Sequence, residues 1–429
     1  MKVLVIGGGG REHALCWKLR QSPLLSELYC APGNPGIGEI ADLVPTAPEE
    51  IQRLADFATD MAIDLTVVGP ELPLTLGLVD ELQRRGLAVF GPSRAAAELE
   101  GSKVFAKAFM ERHGIPTASH AVVHDATEAR KQAKKMGLPL VLKADGLAAG
   151  KGVLIVHGRD ELDAAIHKLF EERRFGAAAE KVLLEPFLVG EEVSFLALSD
   201  GERLLPFATA KDYKRIGEDD TGPNTGGMGA HSPSLLLSTE QCKEIMDRVM
   251  RPTIAGMAEE GRRFSGVLYA GLMMTAEGPQ VLEFNARFGD PETQPLLLRL
   301  EDDLLPVLAS GAQGAFECRR LRFKKAAAAC IVLASEGYPG TPVKGEVIGG
   351  LERAAAVPGV EVFHAATREQ GDDVVSSGGR VLNVCATGPY LPDALKRAYS
   401  AAGEIHWPSK VLRRDIGRRV LEQEGDPGR

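Results

Sequence analysis

Four times in its first hundred residues the chain runs a short apolar strand straight into glycine or proline. Val3–Ile6 enters Gly7-Gly8-Gly9-Gly10, and Leu28–Cys30 leads to Pro32-Gly33-Asn34-Pro35-Gly36. Leu65–Val68 enters Gly69-Pro70-Glu71, and Leu87–Phe90 enters Gly91-Pro92-Ser93. Helix-like stretches such as Glu12–Gln21 and Ile51–Ala58 lie between them. Strands alternating with helices predict a parallel α/β sheet. The loops that follow the strands of such a sheet gather along one edge, where ligands bind. That makes the segment a substrate-binding domain by architecture, while naming no substrate.

The texture changes after Gly101. Lys103–Arg112 reads as a helix ended near Gly114, and Leu140–Lys143 and Val153–Val156 as two strands around a glycine loop. Asp160–Phe170 reads as a helix, and Lys181–Glu185 as a strand ending at Pro186. Lys211–Ser234 reads as a long polar, glycine-rich loop, and a loop of that length inside a compact domain is usually functional. From about Lys325 the chain becomes rich in Ala, Gly and Val, with short strands such as Ala329–Leu333 and Arg380–Ala386. The expected division is therefore 1–100, 101–324 and 325–429. No heptad or solenoid period runs through it.

Bulk properties narrow the class. The length of 429 residues allows two to four domains, each with its own core. A net charge of −9 disfavours a nucleic-acid partner, and the basic pairs Arg173-Arg174, Arg262-Arg263 and Lys324-Lys325 are short enough to be solvated faces. Met1–Ile6 is too short for the apolar core of a signal peptide, and no apolar stretch reaches membrane-span length. The six scattered cysteines suit buried thiols in a reducing compartment rather than a disulfide framework or zinc site. A cytoplasmic protein is expected, with no membrane span and no nucleic-acid partner.

The glycine loop Gly7–Gly10 invites a dinucleotide reading, which spacing rejects. The G-x-G-x-x-G/A pattern needs Gly or Ala at its sixth place; from Gly7 that place is Glu12, and from Gly8 it is His13. From Gly9 the third place is already Arg11. What survives is a glycine loop opening a helix, with exposed backbone N–H groups beside Arg11, which suits a single phosphate. Glu12 and His13 are adjacent on a helix and do not face one another, so a structural role is expected for His13.

Lys143-Ala144-Asp145-Gly146-Leu147-Ala148-Ala149-Gly150-Lys151-Gly152 is not a P-loop: Gly152 stands where Ser or Thr should follow the lysine, and strands flank both sides. A glycine hairpin between strands can instead fold over nucleotide phosphates as a lid, with Lys143 and Lys151 as point charges. Leu184-Glu185-Pro186-Phe187-Leu188, followed by Glu191-Glu192, sits at a crossover where backbone groups read an adenine edge and an acid takes ribose hydroxyls. Lys211-Asp212-Tyr213-Lys214-Arg215 reads equally as an anion-binding segment or a solvated excursion.

Val281-Leu282-Glu283-Phe284-Asn285-Ala286-Arg287-Phe288 reads as a strand. Alternation puts Glu283, Asn285 and Arg287 on one face, and Leu282, Phe284 and Ala286 on the other. A carboxylate and an amide oxygen beside a guanidinium suit a divalent metal held against phosphate. Gly289-Asp290-Pro291-Glu292 adds a tight polar turn to the same end.

Together these stretches resemble the ATP-grasp superfamily and, more narrowly, the glycinamide ribonucleotide synthetase (phosphoribosylamine–glycine ligase) family. Further matching stretches are Gly9–Ala14, Ala31–Asn34, Val68–Glu71, Glu100–Lys103, Asp220–Gly229 and Glu283–Gln294, so the likeness runs end to end. Gly8, where the family usually carries Asn, and Ala286 are departures. The resemblance implies an α/β and α+β multidomain protein. Its N-terminal parallel domain is Rossmann-like (pre-ATP-grasp), its two-lobed ATP-grasp domain has a lid lobe at about 118–190, and a small mixed domain follows.

The reaction implied joins glycine to 5-phosphoribosylamine with ATP, through glycyl phosphate, in the second step of de novo purine synthesis. In that reading Glu283 and Asn285 hold Mg²⁺ or Mn²⁺, and Arg287 stabilises the transferred group. Lys103, Lys143, Gly146, Gly150, Lys151 and Gly152 meet the nucleotide phosphates, and Glu185, Phe187, Leu188 and Glu192 hold adenosine. Gly9, Gly10, Arg11, Asn34, Glu71 and Lys214 receive the phosphorylated substrate, and Asp212 and Asp290 the glycine ammonium. A monomer is expected, and because the chain ends at Arg429, a single activity. The rivals are another ATP-grasp carboxylate–amine ligase or a biotin carboxylase-like enzyme, a nicotinamide-dependent oxidoreductase, and a nucleotide sensor without catalysis.

Overall fold

The strand-then-glycine units pair in parallel. The computed structural model describes residues 1–146, 152–172 and 180–424. In it Lys2–Gly7 lies between Glu27–Pro32 and Leu65–Val68, and Asp42–Leu43 and Val89–Phe90 complete five strands. Successive residues of Lys2–Gly7 enter two different cores: Val3 and Val5 pack with Leu15 and Leu19, whereas Leu4 and Ile6 pack with Leu54 and Leu78. Burial on both faces explains the unbroken apolar runs. The strand order reverses between Lys2–Gly7 and Leu65–Val68, and a crevice forms beyond the strand ends at such a switch point. The Gly7–Gly10 turn and the turn before Glu71 flank it.

Two antiparallel sheets follow. The smaller joins Ala121–Val123, Val182–Pro186, Leu140–Ala144 and Val153–Val156, and has its own core of residues such as Leu140, Leu142, Ile166, Val182 and Leu184. The helix expected over Asp160–Phe170 is α-helical over Arg159–Ile166 and continues as a π turn, His167–Glu171. The larger sheet orders Leu204–Pro206, Glu191–Asp200, Ser265–Thr275 and Gly278–Asn285, and packs against the helix Lys103–Arg112.

The third sheet brings a correction. Lys211–Ser234 is not a loop: Lys211–Asp212 and Gly229–Ser232 are strands, and Arg215–Gly217 pairs with Thr221–Asn224. Gly229–Ser232 pairs with Ala327–Ser335, which pairs with Arg380–Gly388 and through it with Val360–His364. The segment therefore hangs Asp212 and Lys214 on the edge of the C-terminal sheet. No described helix is long and apolar enough to cross a membrane.

Candidate active site

The strand Gly278–Asn285 carries a bulge opposite Gly271 and Leu272. The extra residue shifts the facing pattern, so Val281, Phe284 and Ala286 enter the core, whereas Leu282, expected on the Phe284 face, is only half-buried. From Glu283 onward the alternation holds: Glu283, Asn285 and Arg287 are half-buried, and Phe284, Ala286 and Phe288 buried, although the strand itself stops at Asn285. Lys214 Nζ lies 3.9 Å from Glu283 Oε1 and also pairs with Glu192. Burial would raise the Glu283 pKa, but Lys214, Lys103, Lys143 and Arg287 outweigh it and hold the carboxyl below its ordinary range. One carboxylate thus feels Arg287 from its own segment and three lysines from distant parts of the chain.

Arg287 is the most constrained of the four. Its Nε is 3.3 Å from Glu71 Oε2, its Nη2 3.1 Å from Glu100 Oε1, and Nη2 also donates to Asn285 Oδ1 at 3.2 Å. Burial works against its charge, yet Glu100 and Glu71 more than compensate and raise its pKa. Glu100 also accepts the Ala286 N–H at 2.7 Å, so it fixes both ends of the turn that presents Arg287. Glu283 and Asn285 offer hard oxygen donors suited to Mg²⁺ or Mn²⁺. Among the described residues there is no cluster of three or more His, Cys, Asp or Glu side chains fit to hold a metal, so phosphate oxygens and water would have to complete the coordination.

Lys143 Nζ donates to Glu185 Oε2 at 3.0 Å and to the Leu282 carbonyl at 2.9 Å, tying the smaller sheet to the Glu283 strand. Lys103 Nζ reaches the Gly146 carbonyl at 3.0 Å, while Asp145 caps its helix by accepting from Val104 N–H at 3.1 Å. The Phe187 N–H is taken by the Pro139 carbonyl at 3.2 Å. Leu188 follows it out of the strand, and Gly152 closes the hairpin by accepting from Ala144 N–H at 2.9 Å. Gly150 and Lys151 lie outside the described residues.

The glycine loop is less open than expected. Gly9 N–H donates to Glu12 Oε2 at 2.7 Å and Arg11 Nε to Glu12 Oε1 at 2.5 Å, so an anion from the chain itself already occupies this helix start. Arg11 also holds the Phe288 carbonyl at 3.1 Å. A Cβ on Gly10 would sit 1.8 Å from Asn383 Nδ2, so only glycine admits the C-terminal strand there. Gly8, the departure from the family pattern, has the Gly33 carbonyl 2.4 Å from where a Cβ would be. Asn34 donates to the Gly8 and His364 carbonyls at 3.0 and 2.9 Å and accepts from Ile37 N–H at 3.0 Å, so its amide holds the loops in place. His13 is structural, as expected: its Nδ1 accepts from His364 N–H at 2.9 Å, and burial drives its pKa down to about 3.

Asp290 and Asp212 part company. Asp290 accepts from Arg380 Nη2 at 2.9 Å and Gln294 Nε2 at 2.7 Å, and its carbonyl accepts from Arg380 Nη1 at 2.7 Å. Arg380 also reaches the Gly226 carbonyl at 2.6 Å. Asp212 Oδ1 is buried with no hydrogen-bond partner among the described residues. Burial first and Glu292 second push the Asp212 carboxyl well up. Glu292 is buried too, accepting from Tyr269 and, at 3.2 Å, from Ser194.

Glu100, Glu292, Arg380 and Asn383 thus stand among the candidate site residues, and sequence reasoning left them unassigned. Glu100 and Glu292 stood inside motifs already singled out, so those signals were available. Arg380 and Asn383 arrive from a strand nearly a hundred residues later, where nothing local marks them.

Comparison with known proteins adds the family context. Residues 1–100, 101–293 and 328–419 match the N, ATP-grasp (A) and C domain models of phosphoribosylglycinamide synthetase. The chain is 50% identical over 424 residues to the phosphoribosylamine–glycine ligase of Mesorhizobium japonicum, covering 99% of both. Among solved structures it resembles phosphoribosylamine–glycine ligase from Thermotoga maritima, with TM-score 0.83 and 33% identity over 97% of this chain and 100% of that one. The biotin carboxylase domain of Hydrogenobacter thermophilus 2-oxoglutarate carboxylase shares the fold alone, at TM-score 0.72 and 20% identity over 95% of this chain and 91% of that one.

Proposed function

The chain belongs to the phosphoribosylglycinamide synthetase family, and from that premise we propose how its cleft performs an ATP-dependent carbon–nitrogen ligation. The substrates are ATP, glycine and 5-phosphoribosylamine; the products are glycinamide ribonucleotide, ADP and phosphate. One observation carries the assignment of chemistry to place: Lys214 Nζ lies 3.9 Å from Glu283 Oε1, and Lys143 Nζ is hydrogen-bonded to the neighbouring Leu282 carbonyl.

A carboxylate is a poor electrophile. A glycine carboxylate oxygen attacks the γ-phosphorus, the bond to ADP breaks, and glycyl phosphate forms. The amine of phosphoribosylamine then attacks the acyl carbon, phosphate leaves, and the amine gives up a proton. No protein nucleophile is needed, so positioning and charge neutralisation do most of the catalysis.

Lys103, Lys143, Gly146 and Gly152 hold the phosphates, with Glu185, Phe187, Leu188 and Glu192 around the adenosine. Arg287, kept charged by Glu71 and Glu100, meets the transferred phosphoryl group. Glu283 and Asn285 would hold Mg²⁺ or Mn²⁺, the ions that ATP-grasp ligases generally use, which would supply Lewis-acid charge to the phosphates when bound. Lys214 stands between Glu192 and Glu283 and neutralises both. The unpartnered Asp212 takes the glycine ammonium, and Asp290, occupied by Arg380, holds the C-terminal strand over the loops of Gly9, Gly10 and Arg11, where the phosphorylated sugar enters. The 1–100, 101–324 and 325–429 division then assigns the sugar, the nucleotide and the closing strand to successive parts.

ADP release with ATP and Mg²⁺ tests this, with glycine or phosphoribosylamine omitted in turn. Sustained turnover is expected only with both. Bicarbonate-dependent release indicates a carboxylase, and no release indicates a sensor.

A further inference from the structure

Glu185 carries more positive charge than one carboxylate needs. Its Oε2 accepts from Lys143 Nζ at 3.0 Å and lies 3.3 Å from Lys107 Nζ. All three side chains are buried, with 3%, 7% and 3% of Glu185, Lys143 and Lys107 exposed. Lys107 comes from the helix Lys103–Arg112 and is anchored independently of Glu185: it donates to Thr117 Oγ1 at 2.6 Å and to the Ala118 carbonyl at 3.1 Å. Thr117 in turn donates to the Val281 carbonyl at 2.6 Å. Lys107 is therefore fixed in place, whereas among the described residues Lys143 holds only Glu185 and one backbone carbonyl, Leu282.

Resting on the nucleotide reading above, we propose that Lys107 is a positioning residue that frees Lys143 for the phosphates of the nucleotide. When Lys143 turns from Glu185 toward phosphate, a carboxylate with no other cation would be left bare in the interior, which is strongly unfavourable. Lys107 prevents that by remaining paired with Glu185 in both states. The cluster of two lysines and one glutamate carries a surplus positive charge before the nucleotide arrives, and that surplus is what the phosphates neutralise. Lys107 does not itself touch nucleotide.

A pH signature accompanies this. Burial, opposed by Glu185 and assisted by Lys143, lowers the Lys107 pKa to about 8. The charged or titratable groups around it are Glu185, Lys143 and His120, the last with its own pKa lowered by burial and by Lys107. As pH rises past about 8, Lys107 loses its proton and Lys143 is retained by Glu185, so phosphate binding weakens. Arginine keeps its charge at any working pH.

The test compares ADP binding by calorimetry with adenosine binding by ligand-observed NMR, in wild type, Lys107→Met and Lys107→Arg. Lys107→Met is expected to weaken ADP roughly 10- to 100-fold and to leave adenosine unchanged. Wild type should lose ADP affinity between pH 7 and 9.5, and Lys107→Arg should not. Equal weakening of ADP and adenosine would mean a structural role only and overturn the proposal, as would unchanged ADP binding in Lys107→Met. If Lys107→Met does not fold, the pH series of wild type against Lys107→Arg decides alone, and parallel curves sink the idea. Failure of wild type to bind ADP at all would strike the ligase reading itself.

Discussion

Asp290 and Asp212 look interchangeable on paper: both are aspartates in polar stretches, and both are expected at one ammonium. In the fold they occupy opposite electrostatic settings. Asp290 is half-buried against Arg380, with Arg11 and Arg287 near enough to help, and its carboxyl is held below the ordinary range despite the loss of water around it. Asp212 turns a buried oxygen toward the influence of Glu292, with Lys214 and Arg380 only partly offsetting it, and its carboxyl is pushed up. Environment rather than residue type separates the roles. An acid already holding a guanidinium is a fastener; an acid with an unsatisfied buried oxygen is waiting for a donor.

The largest effect should come from unfastening. Asp290→Ala leaves Arg380 with backbone carbonyls and no carboxylate, and stranding that half-buried guanidinium costs about 3 kcal/mol. Chemical denaturation should register that loss, with the KM for glycine changing no more than that for ATP. A selective rise in glycine KM, with stability intact, would make Asp290 a glycine ligand and erase the contrast. Asp212→Asn should behave in the opposite way. Exchanging a charge-assisted hydrogen bond for a neutral one at the ammonium costs about 1.5–3 kcal/mol, or roughly 10- to 100-fold in glycine KM. Steady-state kinetics with glycine varied at saturating ATP would read it, and an unchanged glycine KM would remove Asp212 from the site.

How far this contrast was legible beforehand depends on distance along the chain. The parallel sheet could be read because each unit is local: an apolar run buried on both faces, then a glycine turn. The convergence of cations on Glu283 was legible as motifs, since Lys143, Glu283 and Arg287 each stand in a distinctive stretch. The strands at Lys211–Asp212 and Gly229–Ser232 were hidden, because they are polar and the partner strand of Gly229–Ser232 begins at Ala327. Arg380 and Lys107 were hidden for the same reason. Each is an ordinary basic residue until the fold brings Asp290 to one and Glu185 to the other. Glu292 was in view, but nothing in a tight polar turn says that its carboxylate will be buried beside a second one.

The smallest effect is also the cleanest separation, because it needs no substrate. Asp290 has a folded pKa below the usual 3.8, so its stabilisation is present throughout the pH range above that value and fades only as pH falls through the folded pKa. Between pH 5 and 8 the melting-temperature gap between wild type and Asp290→Ala should therefore stay flat. Asp212 has a folded pKa above 3.8, so in the window above that value the native state binds more protons than the unfolded chain, and stability falls as pH rises. Asparagine has no proton to lose. Asp212→Asn should gain on wild type, by a few degrees at most, from pH 5 to pH 8. Thermal scans of both variants in EDTA would read one flat line and one rising one; two flat lines would mean that Asp212 is an ordinary ionised carboxylate and that the two aspartates are alike after all.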